Sequence, residues 1–144
     1  MIDEAQLLRM IKNCIHLKYK VTGVYAADNF PLSIDQNSFM IVNSDKSNQP
    51  GTHWALLCNR MGDYVFGDPL GLPIHLYNHI CDRLSYADLS VKEIIKDPLQ
   101  KPNSNLCGLY CIYIAHYVFS EYYPSIPFIH EEQLPRSMYH LREQ

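Results

Sequence analysis

The composition of the chain changes from polar to apolar within residues 100–111, QKPNSNLCGLYC, where a predicted loop is followed by a predicted helix. Residues 106–119 contain no Pro and a single Gly, which is typical of a helix, and the Asn, Ser and Asn at 103–105 are suitable N-cap residues. Cys107 would then lie in the first helical turn, where unpaired backbone N–H groups and the helix macrodipole favour a thiolate over a thiol. The stretch therefore predicts a nucleophile, which needs a base from elsewhere in the chain.

Length and composition predict one globular domain, residues 1–144, with a sizeable core. The chain is 47% hydrophobic and 19% charged, and its net charge of −3 argues against a dedicated nucleic-acid binder. No apolar run reaches the roughly 18 residues of a membrane span, and the first residues lack the basic and apolar regions of a signal peptide. Five Cys, an odd number, fit a reducing compartment. We expect an intracellular protein that acts as a monomer.

Hydrophobic periodicity predicts helices and strands in alternation around a buried central helix. Asp3 is suited to cap the first helix, which is predicted to run to about residue 17 and whose apolar stripe would be Leu7, Leu8, Ile11 and Ile15. Further helices are predicted at 76–84, at 107–122 as the buried central helix and at 131–143, and strands are predicted at 39–43, 53–58 and 64–68, with a hairpin turn at 60–63. Residues 89–95 fit a strand or a helix, and their imperfect alternation favours the strand.

A base and an acid are predicted to meet at one edge of the sheet. His53 begins one predicted strand, and Asp68 ends the next. If the two strands pair as a hairpin, the start of the first lies beside the end of the second, so the carboxylate can fix the imidazole tautomer and leave the other ring nitrogen for Cys107. Gln100 lies on a Pro-stiffened loop before the Cys, where its amide and the Cys107 backbone N–H can donate to an oxyanion.

Each of these residues also has an ordinary structural interpretation. A Cys at a helix start is usually a buried small hydrophobe, and an Asp before Pro usually forms a turn. A zinc site is a weaker hypothesis, because Cys107, Cys111 and His116 share one predicted helix without a Cys-x-x-Cys pair. A non-catalytic binding module is also open. The combination of base, acid, oxyanion donor and thiol is what favours acyl transfer.

Three blocks of the chain resemble the adenovirus-type cysteine endopeptidases, the adenain family. These blocks are GTHW at 51–54, YVFGDPLG at 64–71 and QKPNSNLCGLYC at 100–111. The family shows Gly-x-His-Trp, an acidic residue followed by Pro-x-Gly after a strand, and Gln-x-Pro-Asn-Ser-x-x-Cys-Gly-Leu-x-Cys before its central helix. The resemblance covers about residues 1–123.

The resemblance implies an α+β, papain-like fold of the type shared by adenain and the SUMO-specific proteases. In that fold a central mixed β-sheet is flanked by helices, and the nucleophile lies at the N-terminus of the central helix. It further implies that His53 is the general base, Asp68 the orienting acid, Gln100 the oxyanion donor and Cys107 the nucleophile. Trp54 would cover the substrate backbone near the scissile bond, which favours Gly before the cut, as in Gly-Gly or Gly-x-Gly.

The expected function is therefore a cysteine endopeptidase that cleaves viral or virus-like-element precursor proteins during capsid maturation. Such an enzyme would act in the nucleus or cytoplasm of a host cell and in the virion, on capsid proteins or precursor polyproteins. The alternative is a deubiquitinase or SUMO-type isopeptidase that acts on Gly-Gly-terminated modifiers.

The chain departs from adenain in three respects. The acid is Asp68, as in SUMO proteases, where adenain has Glu, and Gly67 before it resembles an insertion. The sequence ends soon after the central helix, and Cys81 is the only Cys between the acid and Gln100 that could bind an activating peptide as a disulfide. The net negative charge of the chain does not favour DNA binding. We therefore expect an enzyme that requires no metal, cofactor, peptide or DNA activator.

Overall fold

A computed structural model describes residues 1–134 as an α+β fold, in which helices cover both faces of a mixed five-stranded sheet. The helices are α1 (Glu4–Lys12), α2 (Asn78–Ser85) and α3 (Cys107–Val118), and the strands are β1 (Val21–Tyr25), β2 (Ser38–Asn43), β3 (Trp54–Arg60), β4 (Asp63–Gly67) and β5 (Lys92–Glu93). Short 3-10 helices lie at Ile74–Leu76 and Glu131–Gln133. Within residues 1–134, no helix is long and apolar enough to cross a membrane.

The strands lie in the order β1-β2-β3-β4-β5, with β2, β3 and β4 antiparallel and the two outer strands parallel to their neighbours. A tight turn joins β3 to β4, where Met61 and Gly62 both have positive φ, as the favoured two-residue hairpin turn requires. The predicted hairpin is confirmed. The residue before β3 and the residue after β4 consequently lie at the same edge of the sheet.

Side chains of β3 alternate between two hydrophobic cores, because successive residues of a strand face opposite sides of the sheet. Trp54, Leu56 and Cys58 face the core formed with α1 and α3, whereas Ala55 and Leu57 face the core that α2 covers. All five are buried. Burial of both faces explains why the strand reads as an uninterrupted apolar run.

The helix α3 is buried on all sides, as predicted from its lack of a polar face. Eleven of its twelve residues are buried, and it packs against β3 on one side and α1 on another. Gly108 permits the close approach of α1, since a Cβ at this position would lie 2.6 Å from Cδ2 of Leu7. Cys107 is the first residue of the helix.

The first helix begins at the predicted cap but ends earlier than predicted. Asp3 forms a capping box with Gln6, and α1 ends at Lys12 rather than at about residue 17. The chain then continues as successive turns, which break the helical spacing of the predicted stripe. Ile15 is consequently 56% exposed, while Cys14 and Leu17 turn into the core.

The helix α3 begins at the predicted residue, but its cap and its C-terminal end differ from the prediction. Its N-cap is Leu106, whose apolar side chain cannot accept a hydrogen bond. The predicted cap candidate Ser104 instead accepts from the Leu106 N–H at 3.2 Å and donates to Glu131 at 2.9 Å. The helix ends at Val118, before the predicted residue 122. The guanidinium of Arg60 donates to the Val118 carbonyl at 2.8 Å and satisfies this end.

Other predicted elements are present with different extents. The predicted strand at 89–95 is reduced to Lys92–Glu93, because it pairs at the sheet edge with only two residues of β4. The predicted helix at 76–84 is α2, displaced to Asn78–Ser85. The predicted last helix begins as the 3-10 helix at Glu131–Gln133, and its residues 135–143 lie outside the described residues.

Candidate active site

His53 and Asp68 form a hydrogen-bonded pair at the edge where β3 begins and β4 ends. Nε2 of His53 lies 2.5 Å from Oδ1 of Asp68, which is 1% exposed. The buried carboxylate has three further donors. The Leu70 N–H contacts Oδ1 at 3.1 Å, and Oδ2 accepts from the Leu72 N–H at 3.1 Å and from the Tyr77 hydroxyl at 2.6 Å. Four donors fix the position of the carboxylate and compensate its burial.

Cys107 completes this cluster from the first turn of α3. Its thiol is buried, and its sulfur accepts from the Trp54 backbone N–H at 3.4 Å. Cys107 lies close enough to the His53 ring to interact with it electrostatically, as Asp68 does. Because Nε2 of His53 is occupied by the carboxylate, Nδ1 is the ring nitrogen left for the thiol. The structure thus brings these three residues together, in the order acid, imidazole and thiol.

The surroundings of His53 favour its charged form. Burial alone would lower the pKa of His53, but the hydrogen bonds to Asp68 and Cys107 and the negative charges of these partners outweigh burial and raise the pKa to about 9. The imidazole is therefore protonated at neutral pH. An imidazolium beside a thiol at a helix N-terminus can stabilise a thiolate and can later donate its proton to a leaving group.

Three other thiols, those of Cys58, Cys81 and Cys111, have surroundings that disfavour a thiolate. Complete burial raises the pKa of Cys58 and of Cys111 well above the ordinary value, and the negative charge of Cys107 adds to the effect at Cys111. Burial likewise raises the pKa of Cys81, which is only partly buried. These three thiols stay neutral at physiological pH, so none of them shares the environment that makes Cys107 a candidate nucleophile.

Gln100 and His53 both line one cavity at this edge of the sheet. One N–H of the Gln100 side-chain amide is already hydrogen-bonded. Nε2 of Gln100 donates to the Ser104 carbonyl at 3.2 Å, and its Oε1 has no hydrogen-bond partner among the described residues. The Gln100 backbone N–H binds the Pro69 carbonyl at 3.1 Å, which ties this loop to the residue after Asp68. Since an amide nitrogen carries two protons, the second remains able to donate to an oxyanion.

Trp54 lies beneath the N-terminal segment. Its indole N–H donates to the Ile2 carbonyl at 2.9 Å, and Sδ of Met1 lies 3.8 Å from Sγ of Cys107. Trp54 and Cys107 are consequently both buried, although Met1 itself is half exposed. Met1 and Ile2 therefore cover Cys107 and Trp54 on this side.

Two cavities lie near the cluster. The first has a volume of about 440 Å³ and includes His53 and Gln100 in its wall. The second, of about 550 Å³, is lined by Trp54, the N-terminal segment and the loop before His53.

Tyr77 belongs to the cluster and was not predicted from the sequence. Besides its bond to Asp68, its ring stacks on that of His53, with centroids 5.9 Å apart and planes 12° apart. No pattern in the sequence distinguishes it from the ten other Tyr residues. Its position depends on the path of the loop between β4 and α2, which no local periodicity determines.

The zinc hypothesis finds no geometric support in the described part of the chain. Among residues 1–134, no group of three or more His, Cys, Asp or Glu side chains is arranged to hold a metal ion. His116 lies on α3 with a buried Nε2 that has no hydrogen-bond partner among these residues, and burial lowers its pKa to about 4. It is therefore a neutral side chain of the core.

No family model matches the sequence, and no curated protein is similar enough to be matched with it.

Proposed function

We propose that the protein is a papain-like cysteine endopeptidase of the adenain type. The observation that carries this proposal is the arrangement of His53, which is bonded through Nε2 to the buried Asp68 and interacts with Cys107 at a helix start. A thiol, an imidazole and a carboxylate in this order are the minimum needed for acyl transfer by a Cys nucleophile. The three sequence blocks that resemble the adenain family support the same assignment.

The mechanism follows from the charges of the cluster. The Cys107 thiolate attacks the substrate carbonyl, and a tetrahedral oxyanion forms. The Cys107 backbone N–H and the second N–H of the Gln100 amide donate to this oxygen, each worth about 3 kcal/mol of transition-state stabilisation. His53 then protonates the leaving amine, and an acyl-enzyme remains. Water, deprotonated by His53, releases the acyl group.

The substrate class follows from the resemblance and from the covered position of the thiol. The backbone N–H of Trp54 contacts the Cys107 sulfur, so the two residues are neighbours. A substrate chain bound at the thiol would therefore pass close to the Trp54 indole. Gly residues before the scissile bond would allow the closest approach of the two backbones. We therefore assign precursor proteins of a virus or virus-like element, cut after Gly-containing sites, as substrates.

A cleavage assay with matched variants tests this proposal. The purified chain is incubated with peptides that carry Gly-Gly or Gly-x-Gly before the cut, and products are identified by mass spectrometry. We expect cleavage that Cys107→Ala abolishes and that Cys81→Ala, a control at a neutral thiol, leaves unchanged. Equal cleavage by the wild type and by Cys107→Ala would overturn the proposal.

A second substrate separates the endopeptidase from the isopeptidase alternative. A ubiquitin-like protein joined to a Lys side chain through Gly-Gly is offered under the same conditions. We expect the short peptides to be cleaved at least as efficiently as the conjugate. Turnover of the conjugate alone would contradict the assignment of an endopeptidase.

A further inference from the structure

The cavity beside His53 has an apolar wall that the proposed chemistry does not require. Leu70, Leu72 and Leu76 line it, and Leu72 and Leu76 are 41% and 54% exposed. Exposed leucines that gather around one cavity are characteristic of a binding site. The volume of about 440 Å³ lies within the range typical of ligand sites.

This wall is held rigidly by the carboxylate that orients His53. The backbone N–H groups of Leu70 and Leu72 both donate to the Asp68 side chain, and the Gly71 N–H donates to the Asp68 carbonyl at 2.8 Å. Gly71 has a φ of 71°, and a Cβ there would lie 3.0 Å from the Pro98 nitrogen. The loop is thus fixed at both ends of the turn, which keeps Leu70 and Leu72 facing the cavity without a substrate.

The position of His53 determines which part of a substrate enters this cavity. In the proposed reaction His53 donates its proton to the leaving amine, so that nitrogen must come within hydrogen-bonding distance of the imidazole. The residue that carries the amine therefore lies next to His53, and the cavity of Leu72 and Leu76 is the one that has His53 in its wall. The cavity lined by Trp54 does not include His53.

The charges around the cavity also limit what it can accept. Asp45 contributes to its wall, and none of the described residues that line it is Lys or Arg. An acidic side chain would therefore lie near the Asp45 carboxylate, and the basic side chains among the described residues of the wall are the imidazoles of His53 and His79. An apolar side chain would instead cover leucine surface that is otherwise exposed to water.

We infer that this cavity is the leaving-group subsite and that Leu72 and Leu76 select an apolar side chain, of the size of Leu, Met or Phe, in the residue directly after the scissile bond. The inference rests on the proposed function and names a substrate feature that the Gly preference leaves open. An apolar pocket of this kind discriminates by roughly 10-fold or more in kcat/KM between a side chain that fills it and one that does not.

A peptide panel with one acyl side and different residues after the cut tests the inference. We expect the wild type to cleave the Leu peptide with a kcat/KM at least about 10-fold above that of the Asp and Gly peptides. In Leu76→Glu and Leu72→Glu, the ratio of Leu to Gly peptides should fall to near one. Leu76→Ser is the milder variant if a charge impairs folding. Ile15→Glu, a change of another exposed apolar residue, should keep the wild-type ratio.

A second experiment measures how well added amines bind at this subsite, by their reaction with the acyl-enzyme. Leucinamide, glycinamide or aspartamide is added during hydrolysis of a substrate ester with the same acyl side. Each amine attacks the thioester carbonyl, forms an amide and releases the Cys107 thiol, so that the yield of amide reports amine binding beside His53. We expect leucinamide to give the highest yield, and Leu76→Glu to remove this advantage.

The outcomes separate the two proposals. Cys107-dependent cleavage with a flat response to the residue after the cut, or with the same preference in the Leu72 and Leu76 variants, would overturn the subsite alone. Failure to cleave any peptide or ester would instead count against the proposed function, and with it the subsite.

Discussion

The Asp68 carboxylate accepts hydrogen bonds from several parts of the candidate site. One carboxylate accepts from the His53 ring, from two backbone N–H groups and from the Tyr77 hydroxyl, all within 3.1 Å. Because the group is buried, its hydrogen bonds fix both the imidazole and the loop that follows β4. The contact of Asp68 with His53 was predictable from its place at the end of a strand. The contact with Tyr77 was not, because it depends on how a loop returns to the sheet.

The substitution Asp68→Asn should reduce activity less than the loss of the base. The amide keeps the shape of the side chain but removes its charge and one acceptor, so His53 is less well oriented and more weakly protonated. We expect kcat/KM to fall by roughly 10-fold or more for Asp68→Asn and by a larger factor for His53→Ala. Steady-state kinetics on one Gly-containing peptide measure both, and the reverse order would refute the roles assigned to the two residues.

The raised pKa of His53 predicts how activity and stability depend on pH. The folded-state pKa of about 9 lies above the ordinary value of 6.5, so protonation stabilises the folded protein. This contribution is fully present below about pH 6.5 and is lost as the pH rises through about 9. We expect kcat/KM to decline with an apparent pKa near 9.

Two measurements check this prediction. NMR titration of the His53 ring should give a lower pKa in Cys107→Ala than in the wild type, because one of the partners that raise it is removed. Urea unfolding at pH 6 and pH 10 should show a smaller stability difference in Asp68→Asn. A His53 pKa at or below 6.5 in the wild type would contradict the account.

At the level of elements, the junction between the polar loop and α3 places the thiol. The start of the helix at Cys107 was predicted because the change from polar to apolar residues is abrupt there. The cap was predicted wrongly, because Ser104 bonds to Leu106 and Glu131, and the contact with Glu131 depends on the tertiary fold. Likewise, α1 ends five residues early because turns that bury Cys14 and Leu17 override its helical periodicity.

Gly108→Ala tests the packing of α3 against α1. A Gly-to-Ala change inside a helix ordinarily stabilises by about 0.5–1 kcal/mol, whereas a new Cβ here would lie 2.6 Å from the buried Leu7 side chain. Overpacking of a core costs about 1–3 kcal/mol, so we expect a net destabilisation of roughly 1 kcal/mol in urea unfolding.

A double variant serves as the control for this packing prediction. Leu7→Ala creates space at the contact, so Gly108→Ala should be less destabilising in that background than in the wild type. Strictly additive effects, or a stabilising Gly108→Ala in the wild type, would show that the two helices do not meet as described.

At the level of the whole molecule, the sheet and α3 gather residues from distant parts of the chain. Met1 contacts Cys107 across 106 positions, and Trp54 contacts Ile2 across 52. The hairpin made the meeting of His53 and Asp68 predictable from the sequence. The cover of Met1 and Ile2 over the thiol was not predictable, because it depends on how α1 packs against α3.

The covered thiol predicts that the N-terminal segment controls its reactivity. Asp3→Ala removes the acceptor that caps α1, costs about 1 kcal/mol of stability and loosens the segment before it. We expect Cys107 to be alkylated by iodoacetamide several-fold faster in this variant. Asp82→Ala, which removes a similar charge from the exposed face of α2, is the control, and equal rates in all three proteins would contradict the prediction.

The central claim is that Cys107 attacks the substrate and carries its acyl part, and trapping the acyl-enzyme tests it most directly. The protein is mixed with a Gly-Gly ester substrate, quenched in acid within the first turnover and measured by intact-mass and fragment mass spectrometry. The account predicts a thioester adduct of the acyl part on Cys107, absent from Cys107→Ala. An adduct on Cys58, Cys81 or Cys111, or continued turnover by Cys107→Ala, would contradict it.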